Sequence, residues 1–154
     1  MEFITVEPFI EELRSLGFRE ACERAVRALR EKVPHYSWVG IYLLEGDELV
    51  LGPWDGPAAT EHVRIPLGQG ICGLAAREKQ TVIVDDVNQD PRYLACFPST
   101  RSEIVVPILT PQGRVLGEID IDSDEPAAFG PQDREFLERV AQTLAQIWER
   151  ERTP

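Results

Sequence analysis

Two cysteines and a run of acidic residues are the parts of this chain best suited to chemistry. Cys72 stands in G-Q-G-I-C-G and Cys96 in Y-L-A-C. S-E-I-V-V-P then brings Glu103, and E-I-D-I-D-S-D brings Glu118, Asp120 and Asp122. A thiolate is a nucleophile, and carboxyl groups gathered on one face of a sheet bind cations or pass protons. Asp120 and Asp122 flank Ile121, so on a strand both carboxyls point to one face and Glu118 shares their parity. If Glu103 begins the neighbouring strand, its carboxyl joins them. Crowded carboxyls do not all ionise, so at least one pKa should rise, which suits a general acid or a cation site. A solvated sheet face is the plainer alternative.

The cysteines differ in setting. Cys72 sits at the start of a predicted helix, whose N-terminus favours a thiolate. Cys96 falls in an irregular stretch, where reactive residues are often found. Cys22 lies on an apolar helical stripe and reads as inert packing. Trp38, Gly40 and Tyr42 share one face of the first strand. They form either a core aromatic pair or a flat slot for an apolar ligand group, with Gly40 leaving room. His35 and His62 are isolated and take no role. Arg92, Tyr93 and Arg101 read as surface residues, with contact of one of them to a substrate carboxylate as the alternative.

Residue patterning supplies the elements that must hold these groups. Residues 8–16 and 18–32 read as two helices separated by Gly17, the second with Phe18, Ala21, Cys22, Ala25, Val26 and Leu29 at helical spacing. Residues 37–44 and 49–51 read as a hairpin across E-G-D-E, and G-P-W-D-G-P as turn material before a short strand at 62–65. A short helix opens at Gly70 and runs to about Glu78, followed by a β-branched strand at 81–84. After the irregular stretch from Asn88 to Ser102, residues 103–109 and 114–122 form a second hairpin across T-P-Q-G. F-G-P-Q-D opens a long closing helix with Phe136, Leu137, Val140, Leu144, Ile147 and Trp148 on its apolar side. The order predicts one α+β domain over residues 1–154: a mostly antiparallel sheet, N- and C-terminal helices on one face, and a loop-roofed pocket on the other.

Several function classes drop out. A net charge of −11 lacks the basic footprint that nucleic acid requires. No apolar run approaches the length of a membrane span, and the N-terminus lacks the pattern of a signal peptide, so a cytoplasmic protein is expected. Three cysteines without zinc-ligand spacing should be thiols at rest in a reducing compartment. Gly68 to Gly73 spells G-x-G-x-x-G, but Pro66 interrupts the feeding strand and the crossover is too short for a dinucleotide fold. The glycines fit a tight turn that packs the helix on the sheet. D-I-D-S-D lacks the glycine and distal glutamate of a calcium loop.

Taken in order, W-V-G-I-Y-L-L, L-V-L-G-P-W-D-G, R-I-P-L-G-Q-G-I-C-G, V-D-D-V, L-A-C, S-E-I-V-V-P and E-I-D-I-D-S resemble the free methionine-(R)-sulfoxide reductases, stand-alone GAF domains. The resemblance implies a GAF-like fold and thiol-dependent reduction of free methionine sulfoxide. It makes Cys96 the catalytic cysteine and Cys72 a second cysteine able to join the redox relay. Glu103, Asp120 and Asp122 become the acids that hold the substrate's ammonium group and sulfoxide oxygen, with Asp122 or Glu103 as proton donor. Trp38 and Tyr42 become the slot for the S-methyl group. It implies no cofactor and no metal, a thioredoxin-like reductant, and, with the apolar stripes of the terminal helices, a homodimer. Three departures stand out. The usual resolving cysteine after L-G-P-[FW]-x-G is absent, with Thr60 nearest to it; Asn88 replaces a histidine; and Glu118 stands where an apolar residue is usual. A non-catalytic sensory GAF module and a cysteine-based redox switch are the alternatives.

Overall fold

The computed structural model describes residues 1–93 and 97–152. Helices α1 (Val6–Arg14) and α2 (Phe18–Lys32) lead into strands β1 (Trp38–Glu45), β2 (Glu48–Asp55) and β3 (Arg64–Pro66). Helix α3 (Gly70–Glu78), β4 (Val82–Val84) and a 3-10 turn (Val87–Gln89) follow, then β5 (Ser102–Leu109), β6 (Val115–Ser123) and α4 (Pro131–Arg152). The strands form one sheet in the order β3-β2-β1-β6-β5-β4, and each of these pairings is antiparallel.

Period-two alternation along β1, β5 and β6 divides the core. Val39, Ile41, Ile104, Val106, Ile108, Ile119 and Ile121 face one way and pack with the apolar stripes of α1, α2 and α4. The other face carries a smaller cluster of Trp38, Tyr42, Val105 and Val115, closed by Ile71, Cys72, Ala75 and Ala76 of α3. The expected α+β layering holds, with α3 helping to cover the second face.

Local chemistry explains the ends. Residues Gly46 and Asp47 connect β1 to β2, and Gly46 takes φ +65, a backbone that favours glycine. Gly113 does the same at φ +82 in the β5–β6 turn, where the Arg114 amide also donates to the Thr110 hydroxyl at 3.0 Å. At the start of α4, Asp133 reaches back to accept the Gly130 amide at 3.0 Å, and its other oxygen accepts the Tyr36 hydroxyl. Pro131 occupies the first helical position, where its missing N–H is harmless.

Most strands lie within a residue of their predicted bounds, and three elements differ more informatively. Helix α1 starts two residues earlier than expected, because Pro8 is tolerated within a first helical turn. Strand β3 falls at Arg64–Pro66 rather than 62–65; as the outer strand it accommodates Pro66, which lies opposite Glu48. The largest correction concerns β2, which continues through Gly52, Pro53, Trp54 and Asp55 instead of turning. The register steps from Gly40↔Trp54 to Tyr42↔Leu51, so Gly52 and Pro53 together face Ile41 in a bulge. A bulge leaves a residue outside the ladder, which admits a proline.

Candidate active site

Strand β6 carries the acids. Its register sets Asp122 between Trp38 and Glu103, Asp120 between Gly40 and Val105, and Glu118 between Tyr42 and Pro107. Glu103, Glu118, Asp120 and Asp122 are all buried, at 3%, 0%, 1% and 1% exposure. The solvated-face alternative is therefore excluded. The first turn of α3 lowers Cys72 onto this face, where its thiol donates to Asp120 Oδ2 at 3.4 Å. One donor atom each from Cys72, Glu103 and Asp120 lies within 4.8 Å of the others. Four of the predicted site residues thus converge.

Burial governs their ionisation. It raises the pKa of Asp122 and Glu118 well above the carboxylate range, with the Asp120 charge adding to both. Asp120 is raised by burial too, against the opposing effect of hydrogen bonding with Glu103 and Cys72. The expectation that helix position would favour a Cys72 thiolate fails. Burial pushes this thiol well above its usual range, and Asp120, Glu118 and Glu103 push the same way. Burial and three carboxyls together outweigh one helix terminus. Cys22 is buried among the helices with its pKa pushed up to about 12 by burial, then by Glu23 and Glu151, as suits packing.

An aromatic wall stands beside the acids. Trp38 is 2% exposed, and Trp54 stacks on it at 6.2 Å between centroids and 13° between planes. Phe97 tilts against its ring at 6.0 Å. The room at Gly40 is taken up by Trp38 itself: a Cβ there would lie 2.3 Å from Cη2, and one at Gly56 would lie 2.3 Å from Cδ1. Two glycines therefore let the indole lie flat. Its Nε1–H is buried without an acceptor among the described residues. Either Gly40→Ala or Gly56→Ala should lift the ring and destabilise the fold by about 1–3 kcal/mol, measured by urea unfolding followed by tryptophan fluorescence.

Tyr42 is fully buried, and its hydroxyl donates to the His62 carbonyl at 2.7 Å. The Thr60 hydroxyl accepts the His62 amide at 3.1 Å. Thr60, nearest the position where the resemblance leads one to expect a resolving cysteine, thus braces its own loop. Asn88 lies in the 3-10 turn, its amide donating to Asp86 Oδ1 at 3.1 Å. Cys96 and its distance to Cys72 lie outside the described residues. Tyr93 and Phe97, on either side in sequence, pack against the second core. Sequence reasoning missed Trp54, Gly56 and Phe97. The motif L-G-P-W-D-G held the signal for the first two, hidden by reading its glycines and proline as a turn.

Comparison with known proteins agrees with this fold. The GAF domain family model matches residues 18–148. Free methionine-R-sulfoxide reductase of Saccharomyces cerevisiae is 43% identical over 111 residues, 70% of this chain and 61% of that protein. The chain thus spans somewhat less than two thirds of the yeast relative. The type II free methionine-R-sulfoxide reductase of Thermoplasma acidophilum superposes with TM-score 0.79 at 44% identity, covering 92% of this chain and 96% of that one. The Neisseria meningitidis free methionine-R-sulfoxide reductase, solved with its substrate, superposes with TM-score 0.86 at 38% identity, covering 96% and 88%. The fold and the family match define a GAF domain. The chain belongs to that family, in its free methionine-R-sulfoxide reductase branch.

Among the described residues no helix is long and apolar enough to cross a membrane.

Proposed function

We propose that this chain reduces free methionine (R)-sulfoxide to methionine. The observation that carries the reading is the buried acidic face of β6, with no lysine, arginine or histidine paired to Glu118, Asp120 or Asp122 among the described residues. A ligand that brings its own ammonium group supplies the missing charge and draws the nearest carboxyl into its ionised form. The indole of Trp38 beside these acids suits the S-methyl end.

In the reaction, the Cys96 thiolate attacks the sulfoxide sulfur while Asp122 or Glu103 donates a proton to the oxygen. The oxygen passes to the cysteine sulfur, methionine leaves, and Cys96 is a sulfenic acid. The substrate sulfur gains two electrons and Cys96 loses two. The raised pKa of Asp122 supports its part as donor, because a neutral acid at working pH is what the step requires. A thiol then condenses with the sulfenic acid, releasing water, and a thioredoxin-like dithiol reopens the disulfide. Cys72 is the proposed internal thiol. Its buried, protonated state makes it a slow nucleophile, which favours a share for external thiol. Action in a reducing cytoplasm and assembly as a homodimer belong to the same reading.

Incubation of the pure protein with dithiothreitol and methionine (R)-sulfoxide tests it, free amino acid against the same residue within a peptide. Methionine should form from the free amino acid alone; no product would overturn the reading. Asp120→Asn, which keeps the shape and removes the charge, should lower kcat/KM for the free amino acid by about 10²-fold, read from initial rates.

A further inference from the structure

The acidic face holds more anionic capacity than one ammonium group balances, and part of it is arranged around sulfur. Cys72, Glu103 and Asp120 come from α3, β5 and β6, and each is buried. Their donor atoms fall within 4.8 Å of one another. Cys72 Sγ and Asp120 Oδ2 are 3.4 Å apart. A tetrahedral zinc ion, with Zn–S near ~2.3 Å and Zn–O near ~2.0 Å, sets an S···O edge of about 3.5 Å. The Cys72–Asp120 edge needs almost no adjustment, and a Glu103 donor atom lies within 4.8 Å of both.

A second observation is independent of that spacing. Glu118 is fully buried with neither oxygen partnered, and its carboxyl stands beside the Cys72 thiol. Both oxygens of Asp122 and Oδ1 of Asp120 are likewise buried without partners. Buried polar atoms in folded proteins are nearly always satisfied, so the unpartnered carboxyl oxygens of Glu118 and Asp120 beside the Cys72 thiol mark the place of a cation. Sulfur among the donors selects its kind. Magnesium and calcium prefer all-oxygen surroundings, whereas zinc accepts mixed sulfur and carboxylate ligands.

We propose that Cys72, Glu103 and Asp120 bind a divalent cation of zinc's class, in the same pocket that takes the substrate's ammonium group, so that ion and substrate exclude each other. The ion is an inhibitor held by the reduced chain. On binding, metal–sulfur and metal–oxygen bonds form, the Cys72 S–H bond breaks, and its proton and that of any protonated ligand carboxyl pass to solvent. No electrons move. The competition with substrate rests on the proposed function, whereas the metal site itself does not.

The test uses reduced, chelator-stripped protein in a Cys96→Ser background, so that Cys96 contributes no sulfur. Titration with Zn2+ against a chromophoric chelator should show one ion per chain, and Cys72→Ser or Asp120→Asn should weaken it by more than about tenfold. Co2+ in place of Zn2+ should give thiolate charge-transfer absorption that Cys72→Ser abolishes. If a variant does not fold, protection of Cys72 from alkylation by Zn2+ in the unsubstituted site reads the same contact. Free methionine sulfoxide should release the bound Zn2+. Absence of stoichiometric binding, or binding and absorption unchanged by Cys72→Ser, overturns the site. Reductase turnover of the wild-type chain in metal-free buffer is scored separately: turnover without zinc binding sinks only the metal site, and zinc binding without turnover sinks only the reductase.

Discussion

A Cys96→Ser chain should lose turnover of free methionine (R)-sulfoxide by at least about 10³-fold while still binding the compound. The reaction needs a sulfur that can accept oxygen and then be reduced by thiols, and a serine hydroxyl can do neither. Binding should persist because the groups proposed to grip the substrate lie elsewhere: the acids on β5 and β6, and the indole of Trp38 on β1. Methionine release measured under excess dithiothreitol, beside calorimetric binding of the sulfoxide, separates the two effects. Cys72→Ser should behave differently. Its thiol is held protonated first by burial and then by the surrounding carboxyls, so dithiothreitol-driven turnover should survive its loss with a far smaller drop. Equal loss in both variants would mean that Cys72 is as central as Cys96. Unchanged turnover in Cys96→Ser would end the mechanism.

Replacement of Glu118 by leucine should stabilise the free protein by about 1–3 kcal/mol at neutral pH. Both carboxyl oxygens of Glu118 are buried without partners, and Tyr42, opposite it on β1, belongs to an apolar cluster. The pH dependence carries a definite sign. Burial raises the folded-state pKa of Glu118, Asp120 and Asp122, so above the ordinary carboxylate range the unfolded chain has released protons that the folded chain retains. Fewer protons bound in the unfolded state means that stability falls as pH rises, until the folded-state pKa values are passed. The urea midpoint of the wild-type chain should therefore drop between about pH 5 and pH 8, and Glu118→Leu should flatten the slope. A midpoint rising over that range would show that the carboxyls are ionised within the fold.

Much of this could be read from residue order because the governing rules are local. Helix α2 is found at its predicted bounds, and α3 begins at Gly70 and ends at Glu78, since apolar spacing and glycine signals agree there. The alternation E-I-D-I-D already placed three carboxyls on one face, and the structure buries all of them. What escaped was non-local. Whether β2 turns or continues at Gly52-Pro53 depends on the bulge opposite Ile41 in another strand. The ionisation of Cys72 depends first on its burial and then on acids far along the chain, on β5 and β6, rather than on its place in a helix. Even Gly40 was half understood: small size was the right cue, but its room is used by Trp38, two residues away.

The bulge in β2 also bears on how the molecule avoids sticking to others. Strand β3 pairs with β2 only at Glu48–Val50, so toward Asp55 the outer side of β2 lacks a strand partner among the described residues. An unpaired strand edge invites a second molecule to extend the sheet. Pro53 presents no N–H along that margin, and the bulge at Gly52 and Pro53 bends the backbone out of register for any incoming strand. The same proline that disguised the strand in the sequence thus acts as a guard against aggregation, and its replacement by a β-branched residue would restore a continuous, adhesive edge.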